Sequence, residues 1–150
     1  MKTLTLKSAR ATKALAAWIA KKILRGKPEK NARVIGLVGD LGSGKTTFIQ
    51  GFIKALGVKT RIVSPTFLIF RPYPLPKRAK NFRMAIHADL YRIHSSKELT
   101  KLGFKELLGN PQNIILIEWA DKIKKFLPKN TLWIKLEHGN KENIRKIEII

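Results

Sequence analysis

Residues 39 to 47 read Gly-Asp-Leu-Gly-Ser-Gly-Lys-Thr-Thr, and no other stretch of the chain restricts its fold so tightly. Gly39, Gly44, Lys45 and Thr46 fit the spacing G-x-x-x-x-G-K-[ST] of a phosphate-binding loop. Such a loop needs a buried strand before it and a helix after it. The apolar run "RVIGLVG" at 33–39 supplies the strand. Phe48, Ile49, Phe52, Ile53 and Leu56 recur at helical spacing behind the loop, and Gly57 closes that helix. A triphosphate needs several donors converging on its oxygens, and the backbone N–H groups at a helix start supply them. Gly42 and Gly44 let the backbone approach, Lys45 is expected to reach the β- and γ-phosphates, and the Thr46 hydroxyl to ligate Mg²⁺. Leu41, Ser43 and Thr47 complete the expected ATP-binding set. The plain alternative is a glycine turn before a helix, against which the full octet and both flanks weigh.

Mg²⁺ at such a loop calls for a carboxylate at the end of a neighbouring buried strand. Glu118, directly after "IILI", stands there; the alternative is a strand-end glutamate facing solvent. Asp89 ends the run "MAIHA", and it and Asp40 are the only acids between residues 30 and 97. Asp89 is placed to orient the attacking water or a water on the metal, the alternative being a carboxylate neutralised by Arg92 for structure alone.

The rest of the chain reads as an α/β protein. Ala11, Leu15, Trp18, Ile19 and Ile23 predict an amphipathic first helix with Ser8 as N-cap, stopped by Gly26 and Pro28. "RIVSPTFLIF" and "FRMAIHADL" read as strands, with "RPYPLPKRAKN" between them as an exposed loop. Ser95 and Glu98 form a capping-box pattern opening a helix through Leu99 and Leu102. "IILIEW" is a further buried strand. Leu132, Ile134 and Leu136, the polar turn "EHGNKEN", and Ile147 and Ile149 predict an antiparallel hairpin at the sheet edge. One domain over all 150 residues is expected.

Cysteine is absent, which excludes disulfides and thiolate metal sites. No apolar run is long enough to cross a bilayer; "ALAAWIA" at 14–20 reads as a buried helix face, with a signal peptide as the alternative. The 31 Lys and Arg against 10 Asp and Glu give a net charge of +21. Residues 41–88 hold nine Lys and Arg, Lys45 included, and no acid. That stretch is the best electrostatic candidate for RNA or phosphate, set against lysines that merely coat solvated faces.

"GDLGSGKTT", "SPTF" at 64–67, "HADLYR" at 87–92 and "IEW" at 117–119, taken in order, resemble the successive motifs of the bacterial TsaE (YjeE) family, small P-loop ATPases needed to make threonylcarbamoyladenosine in tRNA. The resemblance runs from about Ser8 to the final strand. It implies a P-loop NTPase-like, mainly parallel sheet flanked by helices, with ATP and Mg²⁺ bound and slowly turned over. It also implies work in the cytoplasm as an accessory to the TsaB and TsaD proteins, with TsaD carrying the modification chemistry. By the same resemblance Thr66 is a switch residue near the γ-phosphate, Asp89 and Glu118 are catalytic, Glu118 joins Thr46 on the metal, and Thr12 lies near the adenine. Ser43 stands where the family often has alanine, and the basic stretch 71–83 is not a family signature. A GTPase would want N-K-x-D, whereas "NKEN" at 140–143 ends in Asn143. A small-molecule kinase, with 71–83 as a basic lid, and a non-catalytic basic RNA-binding module are the remaining alternatives.

Overall fold

The computed structural model describes residues 1–65 and 68–150. Seven strands, β1 (Lys2–Leu6), β2 (Arg33–Val38), β3 (Phe70–Pro74), β4 (Met84–Asp89), β5 (Asn113–Glu118), β6 (Leu132–His138) and β7 (Arg145–Ile149), form one sheet in the order β1-β7-β6-β2-β5-β4-β3. The four central strands, β6, β2, β5 and β4, run parallel, and the pairs at both margins are antiparallel. This is the expected α/β sheet with its C-terminal hairpin. β1, whose Leu4 and Leu6 alternate with threonines over only five residues, adds outside that hairpin and takes the edge position.

Among the described residues four α-helices flank the sheet: α1 (Ala9–Arg25), α2 (Lys45–Ala55), α3 (Ser96–Lys101) and α4 (Phe104–Gly109). Successive side chains of a strand point to opposite faces. Ile114 and Leu116 of β5 therefore pack with α1 and α2, while Ile115 and Ile117 pack with Leu99, Phe104 and Ile123 on the other side. Phe48 and Phe52, both fully buried, anchor α2 to the sheet. Each buried side chain of this kind contributes roughly 2–3 kcal/mol, several times any difference in helix propensity, so packing fixes where the N-terminus of α2 points.

Ser8 caps α1 as expected, accepting the Ala11 N–H at 3.1 Å. Gly57, at φ +103°, follows the last turn of α2 and donates to Lys54 O. Elsewhere the chain departs from the expectation. Residues 61–65 are not a strand; Phe70–Pro74 is, an edge strand whose two prolines are tolerated because β3 pairs on one side only. The stretch expected as an exposed loop thus contributes Tyr73 and Ala79 to the core, and the Tyr73 hydroxyl ties down Val63 through both its N–H and its carbonyl, at 3.1 and 3.2 Å. The capping box does not form. Glu98 reaches the His94 N–H at 3.3 Å, and the positive φ of Gly103 splits the expected helix into α3 and α4.

Candidate functional site

β2, β5 and β4 all end on the same side of the sheet, and register places Leu37 beside Glu118 and Glu118 beside Asp89. The alternation that aims Ile114 and Leu116 at α2 sends Glu118 to that face as well. Ala85, which also packs there, sets the same parity for His87 and Asp89 on β4. A binding crevice beyond the carboxyl ends of parallel strands is where open α/β sheets hold their ligands. Here a cavity of about 350 Å³ opens, lined by Thr12, Leu41, Gly42, Gly44, Lys45, Thr46, Thr47, Asp89 and Glu118.

The loop is built to present backbone N–H groups. Gly44 is the N-cap of α2 at φ +104°, a left-handed conformation that costs glycine little, and no side chain among the described residues caps the helix. The first turn of α2 carries no acid. Its orphan amides and the positive end of the helix dipole therefore face the cavity unopposed. Gly39 serves by size: a Cβ there would lie 2.3 Å from Leu136 O and 2.6 Å from Ser43 Oγ. Ser43 is fully buried beneath the loop instead of lining the cavity.

Lys45 Nζ donates to Gly39 O at 2.6 Å and Asp40 O at 2.9 Å, and more weakly to Ser43 Oγ at 3.5 Å, so each of its three N–H groups meets an oxygen of the loop itself. The ring of Trp119 lies 4.3 Å from the same ammonium. Burial pushes the Lys45 pKa below its ordinary value, a shift opposed by the carboxylates of Glu118, Asp89, Asp40 and Asp121. Thr46 Oγ1 donates to Glu118 Oε1 at 2.9 Å and lies 3.4 Å from Ser64 Oγ. The other oxygen of Glu118 meets His87 Nε2 at 2.7 Å, with both side chains almost wholly buried. His87 Nδ1 is buried without a partner among the described residues. The tautomer with the proton on Nε2 fits best, because it leaves an unpaired ring lone pair at Nδ1 and not an orphaned N–H. Asp89 Oδ1 accepts the Tyr91 N–H at 3.0 Å. Burial raises the Asp89 pKa; the Tyr91 N–H opposes that shift, the neighbouring Glu118 adds to it, and His87 and Lys45 act against it.

Every site residue expected from sequence is thus accounted for: nine line the cavity, Ser43 lies under it, and Thr66 is outside the described residues. The cavity wall also includes Ala9, Tyr91, Trp119, Asn143 and Arg145, to which sequence reading assigned no site role. Trp119 sits directly after the strand-end acid at φ +60°, and its ring packs on Tyr91 at 5.3 Å. Arg145 has no local signal at all. The β6–β7 hairpin carries it to the loop, where Nη2 donates to Gly42 O at 3.2 Å while His138 Nε2 lies 3.2 Å from Leu41 O.

Threonine hydroxyl, strand-end carboxylate and capless helix start are what a phosphate loop requires. A family model described as threonylcarbamoyl adenosine biosynthesis protein TsaE matches residues 6–147. The chain belongs to the TsaE family. It is similar to the tRNA threonylcarbamoyladenosine biosynthesis protein TsaE of Rickettsia conorii, 41% identical over 134 residues that span 89% of this chain and 69% of that protein. The protein of the same name from Bacillus subtilis is 37% identical over 113 residues, 73% of this chain and 65% of that one. The crystal structure of Bacillus subtilis YdiB aligns with a TM-score of 0.74 at 31% identity, covering 99% of this chain and 83% of that one. The TsaE family therefore accounts for the sheet, the loop and the order of the motifs together.

Proposed function

We propose that this protein is a Mg²⁺-dependent ATPase that acts with the TsaB and TsaD proteins in forming threonylcarbamoyladenosine in tRNA. The observation that carries this reading is the convergence of Lys45, Thr46, Asp89 and Glu118 on one cavity from one helix start and two parallel strand ends. The amides of α2 and the Lys45 ammonium, which exchanges its weak contact with Ser43 Oγ for a phosphate oxygen, hold the phosphates, and Thr12 and Leu41 line the wall on which the nucleoside rests. Because the family acts in tRNA modification, we place the protein in the cytoplasm.

The donor set fits Mg²⁺. One hydroxyl and one buried carboxylate 2.9 Å apart suit a hard cation that takes few protein ligands and keeps waters and phosphate oxygens for the rest. Thr46 and Glu118 would hold it, and when bound it supplies charge neutralisation at the β- and γ-phosphates. His87 orients Glu118 from behind. Asp89, its pKa raised by burial, accepts the proton of a water that attacks the γ-phosphorus as the bond to the β-phosphate oxygen breaks. Thr46→Ala and Glu118→Gln are each expected to raise the Mg²⁺ concentration needed for half-maximal turnover at least roughly tenfold. The glutamine keeps an acceptor for His87, so a Mg²⁺ titration separates loss of charge from loss of packing. Unchanged titrations in both variants would move the metal elsewhere.

The kinase alternative needs a basic lid over the nucleotide, and no residue of 71–83 lines this cavity. Arg78 instead lies against Gly57, beyond the far end of α2. Phosphate release by the purified protein is expected to rise when purified TsaB and TsaD are added. A rate indifferent to both would sink the partnership, and transfer of the γ-phosphate to an added metabolite would favour a kinase.

A further inference from the structure

A second concavity, of about 770 Å³, lies on the outer side of the α1–α2 pair and has no part in the nucleotide site. Its walls carry Lys13 and Lys21 from α1, Lys54 from α2, and Lys59 and Arg61 from the segment after α2. All five are exposed. Between them the floor is made of Ala14, Ala17, Gly51 and Ala55. At Gly51 the two helices touch backbone to backbone, since a Cβ there would lie 2.6 Å from the Lys13 Cα. Gln50 fastens the third wall to α2 by donating to Ile62 O at 3.3 Å. The cations are therefore set on three packed elements around a trough of small side chains.

A solvated helix face ordinarily mixes both signs of charge. Here the first acid of the chain is Glu29, and none occurs from 41 to 88, so α1, α2 and the segment up to Ile62 are wholly free of carboxylates. Nothing within the groove's elements neutralises its five positive charges. Lys13, Ala17 and Lys21 fall at intervals of four on one face of α1, which sets the two lysines roughly 12 Å apart along the helix, a span of several backbone phosphates.

We propose that this groove binds the phosphate backbone of RNA. Cations on three walls around a floor of Ala14, Ala17, Gly51 and Ala55, with the lining amide of Gln50 already engaged by Ile62 O, suit a repeated, sequence-independent charge, and an acidic protein surface would leave the small-residue trough unfilled. The groove sits one helical turn from the nucleotide cavity, for Thr12 and Thr47 line that cavity while Lys13, Gln50 and Gly51 line the groove.

The test uses the full chain and a fluorescently labelled, unmodified tRNA transcript, followed by anisotropy across a salt series. Two variants are compared. In one, Lys13, Lys21, Lys54, Lys59 and Arg61 become Gln; in the other, the exposed Lys2, Lys101, Lys105, Lys125 and Lys141 do, so both lose the same charge. The groove variant is expected to bind at least roughly tenfold more weakly, with a slope of log K against log salt shallower by about 3 to 4, and the control less than threefold more weakly. ATP affinity, measured on each preparation, reports folding, and the pair Lys59→Gln with Arg61→Gln, outside both helices, gives the same direction should the fivefold variant fold poorly. Equal losses in both variants, or no tRNA binding by the unaltered chain, would overturn the proposal. So would tRNA binding that survives in the groove variant while association with TsaB and TsaD is lost, which would make the groove a protein docking site. Loss of ATP binding by the unaltered chain with tRNA binding intact would overturn the ATPase reading alone.

Discussion

Lys45→Ala is expected to lose tight ATP binding, at least roughly a hundredfold, while the protein stays folded. A hydrogen bond to a charged group contributes about 1.5–3 kcal/mol, and the Lys45 ammonium lines the cavity, where its long contact to Ser43 Oγ is the one most readily exchanged for phosphate oxygens. Folding should survive because the charge is a cost to the folded chain. Burial holds the Lys45 pKa below 10.5, so between that lowered value and 10.5 the unfolded chain binds more protons and stability rises with pH. Below that window the full cost of the buried ammonium is present. Lys45→Met, which keeps the stem and drops the charge, is accordingly expected to melt no lower than the unaltered protein at neutral pH. Calorimetry with ATP and a thermal melt on the same samples check both statements, and full ATPase activity in either variant would sink the phosphate-loop assignment.

What the sequence disclosed of this site follows from locality. The octet 39–46 is contiguous, and its strand and helix flanks are read by short periodicities, so the loop and its helix were legible as a unit. Glu118 and Asp89 were legible because each ends a buried run, and alternation along a strand fixes which face a terminal side chain takes. Arg145 and His138 were not, because only the register of β6 on β2 brings the hairpin turn to the loop. Nothing near residue 145 in the sequence signals that. The edge strands fell outside the reading for a related reason: β1 and β3 are each held by pairing with one neighbour, the alternation of β1 is confined to Leu4 and Leu6, and β3 carries two prolines. The buried His87 partner of Glu118 stood within a quoted motif, yet its role depends on a cross-strand neighbour that sequence spacing does not reveal.

Asp89→Asn is expected to bind ATP about as well as the unaltered protein and to hydrolyse it at least roughly tenfold more slowly, the low end of what a general acid–base group supplies. A residue that acts mainly in the transition state lowers kcat and leaves ground-state affinity in place. Asparagine keeps the Oδ1 acceptor for the Tyr91 N–H, so the turn after β4 is preserved. The same substitution should stabilise the protein. Because burial raises the Asp89 pKa above 3.8, the folded chain binds the proton more tightly than the unfolded one, and stability falls as pH rises from 3.8 through the raised value. Above the raised value that loss is complete, and asparagine removes it. The carboxylate is only half-buried, which holds the effect under roughly 1 kcal/mol. A rise in Tm of about 1–3 °C at pH 7 is therefore expected for a chain of this size, shrinking to nothing below the unfolded pKa. Turnover is measured by phosphate release in the presence of TsaB and TsaD, affinity by calorimetry, and stability by melts at several pH values. If affinity collapses while the bound fraction turns over normally, Asp89 holds the metal or the fold. If turnover falls with no gain in Tm, burial of the carboxylate is not what raises its pKa.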